Sequence, residues 1–166
     1  MALTSDWTNF GVVVGGASAA LTGLLFVAVS LNVARIVRHP ALRATAGQTL
    51  VLFVVPLLTS IVLVVPAQPR WTLGVELIVL GLVAGLVLVV TGRAKGTGPD
   101  VPESRLANVL DRASPNIVTL VFVELTGVTV LVGHGGGLYW LVPSAVLSLI
   151  GGVLNAWLFL TRVPVT

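Results

Sequence analysis

The sequence contains no cysteine and only two histidines, His39 and His134. Without cysteine there is no disulfide framework, no thiol nucleophile and no thiolate metal site. Two histidines also argue against a catalytic triad or a histidine-rich metal centre. The stretch HGGG at 134–137 resembles the oxyanion-hole segment of some lipases, but the nucleophile elbow GxSxG that this chemistry requires does not occur. We therefore expect no enzyme activity, no bound metal and no cofactor.

Charged residues are scarce as well. They make up 9% of the 166 residues, whereas soluble domains carry about 25%. Hydrophobic residues account for 56%, and the mean hydropathy is +1.07. This composition excludes an ordinary soluble domain and predicts an integral membrane protein whose first partner is the lipid bilayer. The nine Lys and Arg residues do not form a single patch, so nucleic acid is not an expected partner.

Five apolar runs are long enough to cross a membrane, which takes about 20 residues each. The predicted helices cover residues 10–34, 48–66, 72–91, 116–133 and 138–160. We expect an all-α, five-transmembrane-helix bundle that forms one domain. The loop at 92–115 is either a short interfacial helix around SRLANVLDR or a solvated connector.

The distribution of basic residues predicts the orientation of these helices. Eight of the nine Lys and Arg residues fall on one side, and Arg70 is the exception. The positive-inside rule then predicts an outside N-terminus and a cytoplasmic C-terminus. The aromatic residues Trp7, Trp71, Tyr139 and Trp140 fall at the predicted outer boundary, where interfacial aromatic belts occur.

Small residues recur at four-residue spacing in three of the predicted helices, a pattern that lets membrane helices approach closely. The candidate packing residues are Gly15, Gly23, Gly81, Gly85 and Gly152. They pack helices either within one protomer or at a subunit interface. The second alternative makes a homo-oligomer an expected state of the protein.

Pro56 lies midway along the second predicted helix. Proline has no backbone N–H, so the carbonyl of Leu52 loses its helical donor. At membrane depth such an acceptor must find another partner, because there is no water to supply one.

Glu124 stands among apolar residues in VFVELTGV, residues 121–128. Counted from Pro115, it lies about 13 Å into its helix at a rise of 1.5 Å per residue, which is near the bilayer midplane. A carboxylate at that depth costs about 3 kcal/mol on insertion scales. No Lys or Arg lies in the interior of a predicted span, so the sequence shows no cation to pair with Glu124.

Other polar residues are expected near the depth of Glu124. Thr22, Thr59 and Asn155 lie on three other predicted helices, and Asn32 lies nearer the cytoplasmic boundary. Together they predict a polar layer across the bundle. Glu124 is then either a proton or cation site on a permeation path, or a hydrogen-bonding group that joins helices. Outward of Glu124 the path is incomplete in one protomer, so a subunit interface would have to complete it.

Two residues are candidates on the outer face. Glu76 lies about one turn below the outer boundary, with Arg70 as its candidate partner. His134 lies in the predicted outer turn between the last two helices. Because histidine titrates near neutral pH, it is a candidate sensor of external pH.

The stretch GASAALTGLLFVAVSLNVARIV at 16–37, preceded by DWTNF, resembles small actinobacterial multi-pass membrane proteins. The sequence VPAQP at 65–69 also resembles that family. Some of its members carry the label "modulator of FtsH protease". The resemblance implies a multi-pass protein of the bacterial plasma membrane and a role in binding a partner, but it transfers no functional residues.

Two classes of function follow from these features. The first is an oligomeric, channel-like or proton- or ion-handling protein whose polar layer is centred on Glu124. The alternative is a non-conducting accessory or modulator subunit that binds a larger membrane machine, such as a membrane protease. We expect the first class, because it explains why a carboxyl is retained at the depth of Glu124, and the accessory role is the alternative.

Overall fold

A computed structural model of the protein describes residues 7–93 and 115–161, and these residues contain helices and turns but no strand. The helices are α1 (Thr8–Leu31), α2 (Val33–Arg38), α3 (Pro40–Val64), α4 (Arg70–Arg93), α5 (Pro115–Val132) and α6 (Leu141–Thr161), with a 3-10 helix at Gly137–Trp140. The predicted loop at 92–115, with its alternatives of interfacial helix and solvated connector, falls almost entirely outside the described residues.

Five helical stretches are long and apolar enough to cross a membrane. They are Thr8–Leu31, Leu42–Val64, Arg70–Thr91, Pro115–Val132 and Gly137–Trp157. The prediction of an all-α chain with five long apolar helices is confirmed. The fifth stretch begins with the 3-10 turn rather than with a regular α-helix at residue 138.

The first long helix ends earlier than predicted, at Leu31 rather than near residue 34. Asn32 leaves the helical region, with φ −116° and ψ 14°, and its Nδ2 donates a 3.0 Å hydrogen bond to the carbonyl of Ala28. Asparagine side chains compete with backbone hydrogen bonds in this way. The helix therefore stops here although apolar residues continue.

The second long helix begins at Pro40 rather than at Gln48, so the predicted connection at 35–47 is mostly helical. His39 is extended, with φ −122° and ψ 103°, because a following proline disfavours the helical region. Proline suits the first position of a helix, since the N–H that it lacks would have no helical acceptor there.

The long helices form a ring of four with one helix attached to it. α3 packs against α4 and α6, and α5 closes the ring by packing against the same two helices. α1 packs mainly on α3 and only slightly on α6. A Cβ added at Gly15 of α1 would lie 3.1 Å from Cβ of Ser60, so α1 and α3 approach closely.

The bundle has two chemically different ends. At the tryptophan end, Trp7 packs edge-on against Phe10 and Tyr139, with ring centroids 5.4 and 5.0 Å away. The turn that joins α5 to the 3-10 helix lies at this end, and its glycines have positive φ at 133 and 135–137. At the opposite end, which we call the arginine end, Arg38 and Arg43 are exposed.

The interior changes in polarity along the bundle. An apolar cluster fills the tryptophan end and contains Leu63, Leu73, Leu77, Val130, Leu138 and Leu141. Farther from that end, α3, α5 and α6 bury polar side chains, including Thr49, Thr119, Ser144 and Ser148. In a chain this apolar, buried hydroxyls require specific hydrogen-bond partners.

Candidate functional site

Glu124 lies in a row of exposed apolar side chains on α5. Ile117, Val121, Val128 and Leu131 are spaced from it by three, four or seven residues, so all five share one face of the helix. The four apolar members are 42 to 59% exposed. Glu124 itself is half-buried, at the edge where this face meets α4. The carboxyl therefore lies on the flank of the bundle rather than at its centre.

The side chain of Glu124 rests on Gly81 of α4. A Cβ added at Gly81 would lie 2.9 Å from Cδ of Glu124 and nearer still to its Oε1. The backbones of the two helices touch one turn away, where a Cβ on Gly127 would lie 3.0 Å from the carbonyl oxygen of Gly74. The missing side chain at Gly81 thus makes the space that the carboxyl occupies.

Glu124 has no hydrogen-bond or ion-pair partner within residues 7–93 and 115–161. Gly81, on which the carboxyl rests, offers no side-chain donor, and the other members of the exposed row on α5 are apolar. Insertion scales put the cost of an acid at the centre of a membrane helix at about 3 kcal/mol. A donor from outside the described chain would reduce that cost, and the exposed flank is where such a donor can approach.

The structure does not bring the predicted polar layer together around Glu124. The hydroxyl of Thr22 donates to the carbonyl of Ser18, and that of Thr59 donates to the carbonyl of Pro56. The side-chain amide of Asn32 donates to the carbonyl of Ala28, one turn earlier in the chain. These side chains satisfy their donors locally, as Ser, Thr and Asn commonly do in helices, and so they do not reach across to α5.

The prediction that Asn155 lies at the depth of Glu124 is wrong. α5 and α6 run antiparallel, and Gly151 of α6 faces Pro115, the first residue of α5. Asn155 lies farther towards the arginine end than Gly151, while Glu124 lies in the opposite direction from Pro115. At 1.5 Å per residue the two side chains are roughly 20 Å apart along the bundle axis.

Ser148 of α6 completes the hydrogen bonding that Pro56 interrupts. Its Oγ donates to the carbonyl of Leu52, the group that loses its helical donor to the proline. Ser148 is fully buried, so water does not compete for this bond. The position of Pro56 in the sequence predicts that the carbonyl of Leu52 lacks a helical donor. The sequence does not predict Ser148 as the replacement donor, because that depends on how α3 and α6 are aligned.

Two buried polar atoms of α5, near its contact with α6, lack a partner within the described residues. They are Oδ1 of Asn116 and Oγ1 of Thr119. The carbonyl of Thr119 accepts a 3.2 Å hydrogen bond from Ser144. The region around Ser148, Ser144 and Thr119, which we call the junction of α3, α5 and α6, is therefore polar but only partly hydrogen-bonded.

The two outer-face candidates have different surroundings. Gln68 donates to the carboxylate of Glu76, so Arg70 is not the partner of Glu76 as predicted. Arg70 instead donates to the carbonyl of Val130, 3.2 Å away, near the end of α5. This contact suits a guanidinium, because the last carbonyls of a helix lack helical donors.

His134, the second outer-face candidate, is exposed, with Nδ1 3.3 Å from the carbonyl of Val132.

Four of the five predicted packing glycines face another helix. Besides Gly15 and Gly81, Gly152 lies under the ring of Phe53, and Gly85 faces Leu120. Gly23 is the exception, because it is exposed and an added Cβ would meet no atom within 4 Å. The buried face of α1 runs through Gly11, Val14, Ser18 and Leu25, and Gly23 lies off that face.

The centre of the ring is packed with large apolar side chains. Leu52, Phe53 and Val123 are at most 1% exposed. No family model, no curated protein and no solved structure matches the chain. The geometry of the flank and of the junction is therefore the basis on which function is inferred.

Proposed function

We propose that the protein is a non-conducting accessory subunit of the bacterial plasma membrane that binds a larger membrane protein. Its five helices span the bilayer with the N-terminus outside and the C-terminus in the cytoplasm. The binding surface is the α4–α5 flank, which we define by Gly81 together with Val121, Glu124 and Val128. A helix of the partner supplies the hydrogen-bond donor or cation that Glu124 lacks.

The observation that carries this proposal is the position of Glu124 on an exposed flank, without a hydrogen-bond or ion-pair partner among the described residues. A half-exposed carboxyl facing lipid would be retained only at a cost of about 3 kcal/mol. A partner helix that presents Lys, Arg, or an amide or hydroxyl group at the same depth would offset this cost. The apolar neighbours on the flank supply the packing surface that membrane helices use to associate.

The topology of the proposal follows from the eight-to-one distribution of basic residues. The absence of cysteine makes it directly testable, since single cysteines can be introduced without removing any. A cysteine at Trp71 is expected to react with an impermeant maleimide in intact cells. A cysteine at Arg38 is expected to react only after the membrane is permeabilised, and the reverse pattern would contradict the topology.

The partner is tested by photo-crosslinking in native membranes. A photoreactive amino acid replaces Val121 on the flank or, as a control, Ile150 on α6, and these positions have similar exposures of 51% and 55%. We expect one discrete adduct of higher mass from position 121 and none from position 150. Equal adduct patterns at both positions, or lipid adducts alone at position 121, would contradict a specific binding flank.

A homo-oligomer that moves protons or ions is the second candidate function. The same lateral position of Glu124 favours it, because a subunit interface is where a path incomplete in one protomer could be completed. Two differently tagged copies that crosslink to each other through position 121 would favour this candidate. Proton and cation flux in proteoliposomes that collapses in Glu124→Gln would establish it, whereas equal background flux in both proteins supports the accessory role.

A further inference from the structure

A second feature, away from the α4–α5 flank, is an apolar groove between α1 and α3 near the arginine end. Its cavity volume is about 130 Å³, and it is open along one side. Its lining is wholly apolar and consists of Leu25, Phe26, Val29, Ala46, Gly47 and Leu50. A groove of this character on a membrane-facing surface accommodates hydrocarbon rather than a polar ligand.

Basic side chains lie at the arginine end of this groove. Arg43 precedes Ala46 and Leu50 by three and seven residues, which puts it on the same face of α3 as the groove lining. Arg38 closes α2, in the segment that joins α1 to α3 at that end. Both arginines are exposed.

Neither arginine has an acidic partner in the described part of the chain. The acids there are Glu76 and Glu124. Glu76 accepts a hydrogen bond from Gln68 near the tryptophan end, and Glu124 lies on the α4–α5 flank. Among the described residues, Arg38 and Arg43 are therefore unpaired cations close to an open groove lined by hydrocarbon, and this combination matches an anionic lipid.

We propose that the groove binds one acyl chain of an anionic phospholipid, with Arg43 and Arg38 binding its phosphate. Basic pockets between membrane helices on the cytoplasmic side recognise anionic head groups, and each basic side chain contributes about 1 kcal/mol. The guanidinium forms paired hydrogen bonds with phosphate oxygens. The inference rests on membrane insertion of the bundle, but it is independent of any partner at Glu124.

The test is native mass spectrometry of the purified protein exchanged with equal amounts of phosphatidylglycerol and phosphatidylcholine that carry the same acyl chains. We expect the wild type to retain phosphatidylglycerol preferentially. Arg43→Gln should weaken that preference about fivefold, the equivalent of about 1 kcal/mol. Ala46→Leu, which fills the groove, should reduce retention of the lipid while both arginines remain. Arg70→Gln, at the opposite end, is the control and should leave the preference unchanged.

Several outcomes would overturn the proposal. These are equal retention of both lipids by the wild type, an unchanged preference in Arg43→Gln, or unchanged retention in Ala46→Leu. If millimolar inorganic phosphate displaced the bound phosphatidylglycerol, the site would be an anion site that needs no acyl chain. If a protein dimer appeared in place of the lipid-bound monomer, the occupant of the groove would be a second copy of the chain. Circular dichroism confirms that each variant remains helical. Loss of crosslinking at position 121 with lipid binding intact would remove the proposed function and leave this inference standing.

Discussion

Ser148→Ala tests how the bundle tolerates a proline in the middle of a long apolar helix. The substitution removes the hydroxyl that donates to the carbonyl of Leu52 and changes little else, because Ser and Ala are similar in size. The carbonyl has no helical donor, since residue 56 is proline. Ser148 is fully buried, so water does not replace the lost donor. The variant leaves a buried acceptor unsatisfied.

The expected cost is about 1–2 kcal/mol of the free energy of unfolding. An unsatisfied buried polar group costs about 1–3 kcal/mol in soluble proteins, and hydrogen bonds between membrane helices are worth about 0.6 kcal/mol on average and up to about 1.7. Pro56→Ala restores a backbone N–H for Leu52. In that background the cost of Ser148→Ala should fall by about 1 kcal/mol, which a double-mutant cycle measures directly.

The assay is unfolding of the purified protein by titration with denaturing detergent in mixed micelles, followed by circular dichroism. Ser144→Ala is the matched control, because Ser144 donates to the carbonyl of Thr119, which already has a helical donor within α5. Ser144→Ala should therefore cost less than Ser148→Ala. Equal costs for the two variants, together with no coupling between Ser148 and Pro56, would refute the reasoning.

Other substitutions test the close helix contacts and the cap at the tryptophan end. Gly127→Ala should destabilise the protein by about 1–3 kcal/mol, because the added Cβ would lie 2.6 Å from a side-chain carbon of Ile78 and 3.2 Å from its backbone nitrogen. Gly16→Ala, where an added Cβ meets nothing within 4 Å, should be neutral or slightly stabilising in the same unfolding assay. Arg70→Gln should lower stability by about 1 kcal/mol, because it removes a charged donor from the carbonyl of Val130. Hydrogen exchange should then be faster in the last turn of α5 than elsewhere in that helix. Uniform exchange along α5 would contradict a local capping role.

Much of the fold could be predicted from the length and hydropathy of the apolar runs. The bilayer requires each span to be long and apolar, and that requirement is visible in a single sequence. The start of α3 was harder to predict, because basic residues between Arg35 and Arg43 suggested a connection. Charge does not prevent a helix, however, and Pro40 is favoured at its first position.

The sequence identifies the individual residues of the candidate site, but it does not predict which residues they contact. Glu124 was notable as a carboxyl in an apolar run, and Pro56 predicted a free carbonyl at Leu52. The donor Ser148 and the contact with Gly81 depend on how helices are paired and aligned, which composition and periodicity do not determine. The depth of Asn155 was misjudged for the same reason, since α6 extends past the start of α5.

The central claim is that Glu124 on the exposed flank binds a partner within the membrane. The most direct measurement is the yield of the crosslinked adduct at position 121 in three proteins, with Glu124 unchanged, replaced by Gln and replaced by Leu. We predict that Glu124→Gln keeps part of the yield, because the amide can still accept a hydrogen bond, and that Glu124→Leu, which cannot, abolishes it. An adduct of equal yield in all three proteins would contradict a role for this side chain in binding.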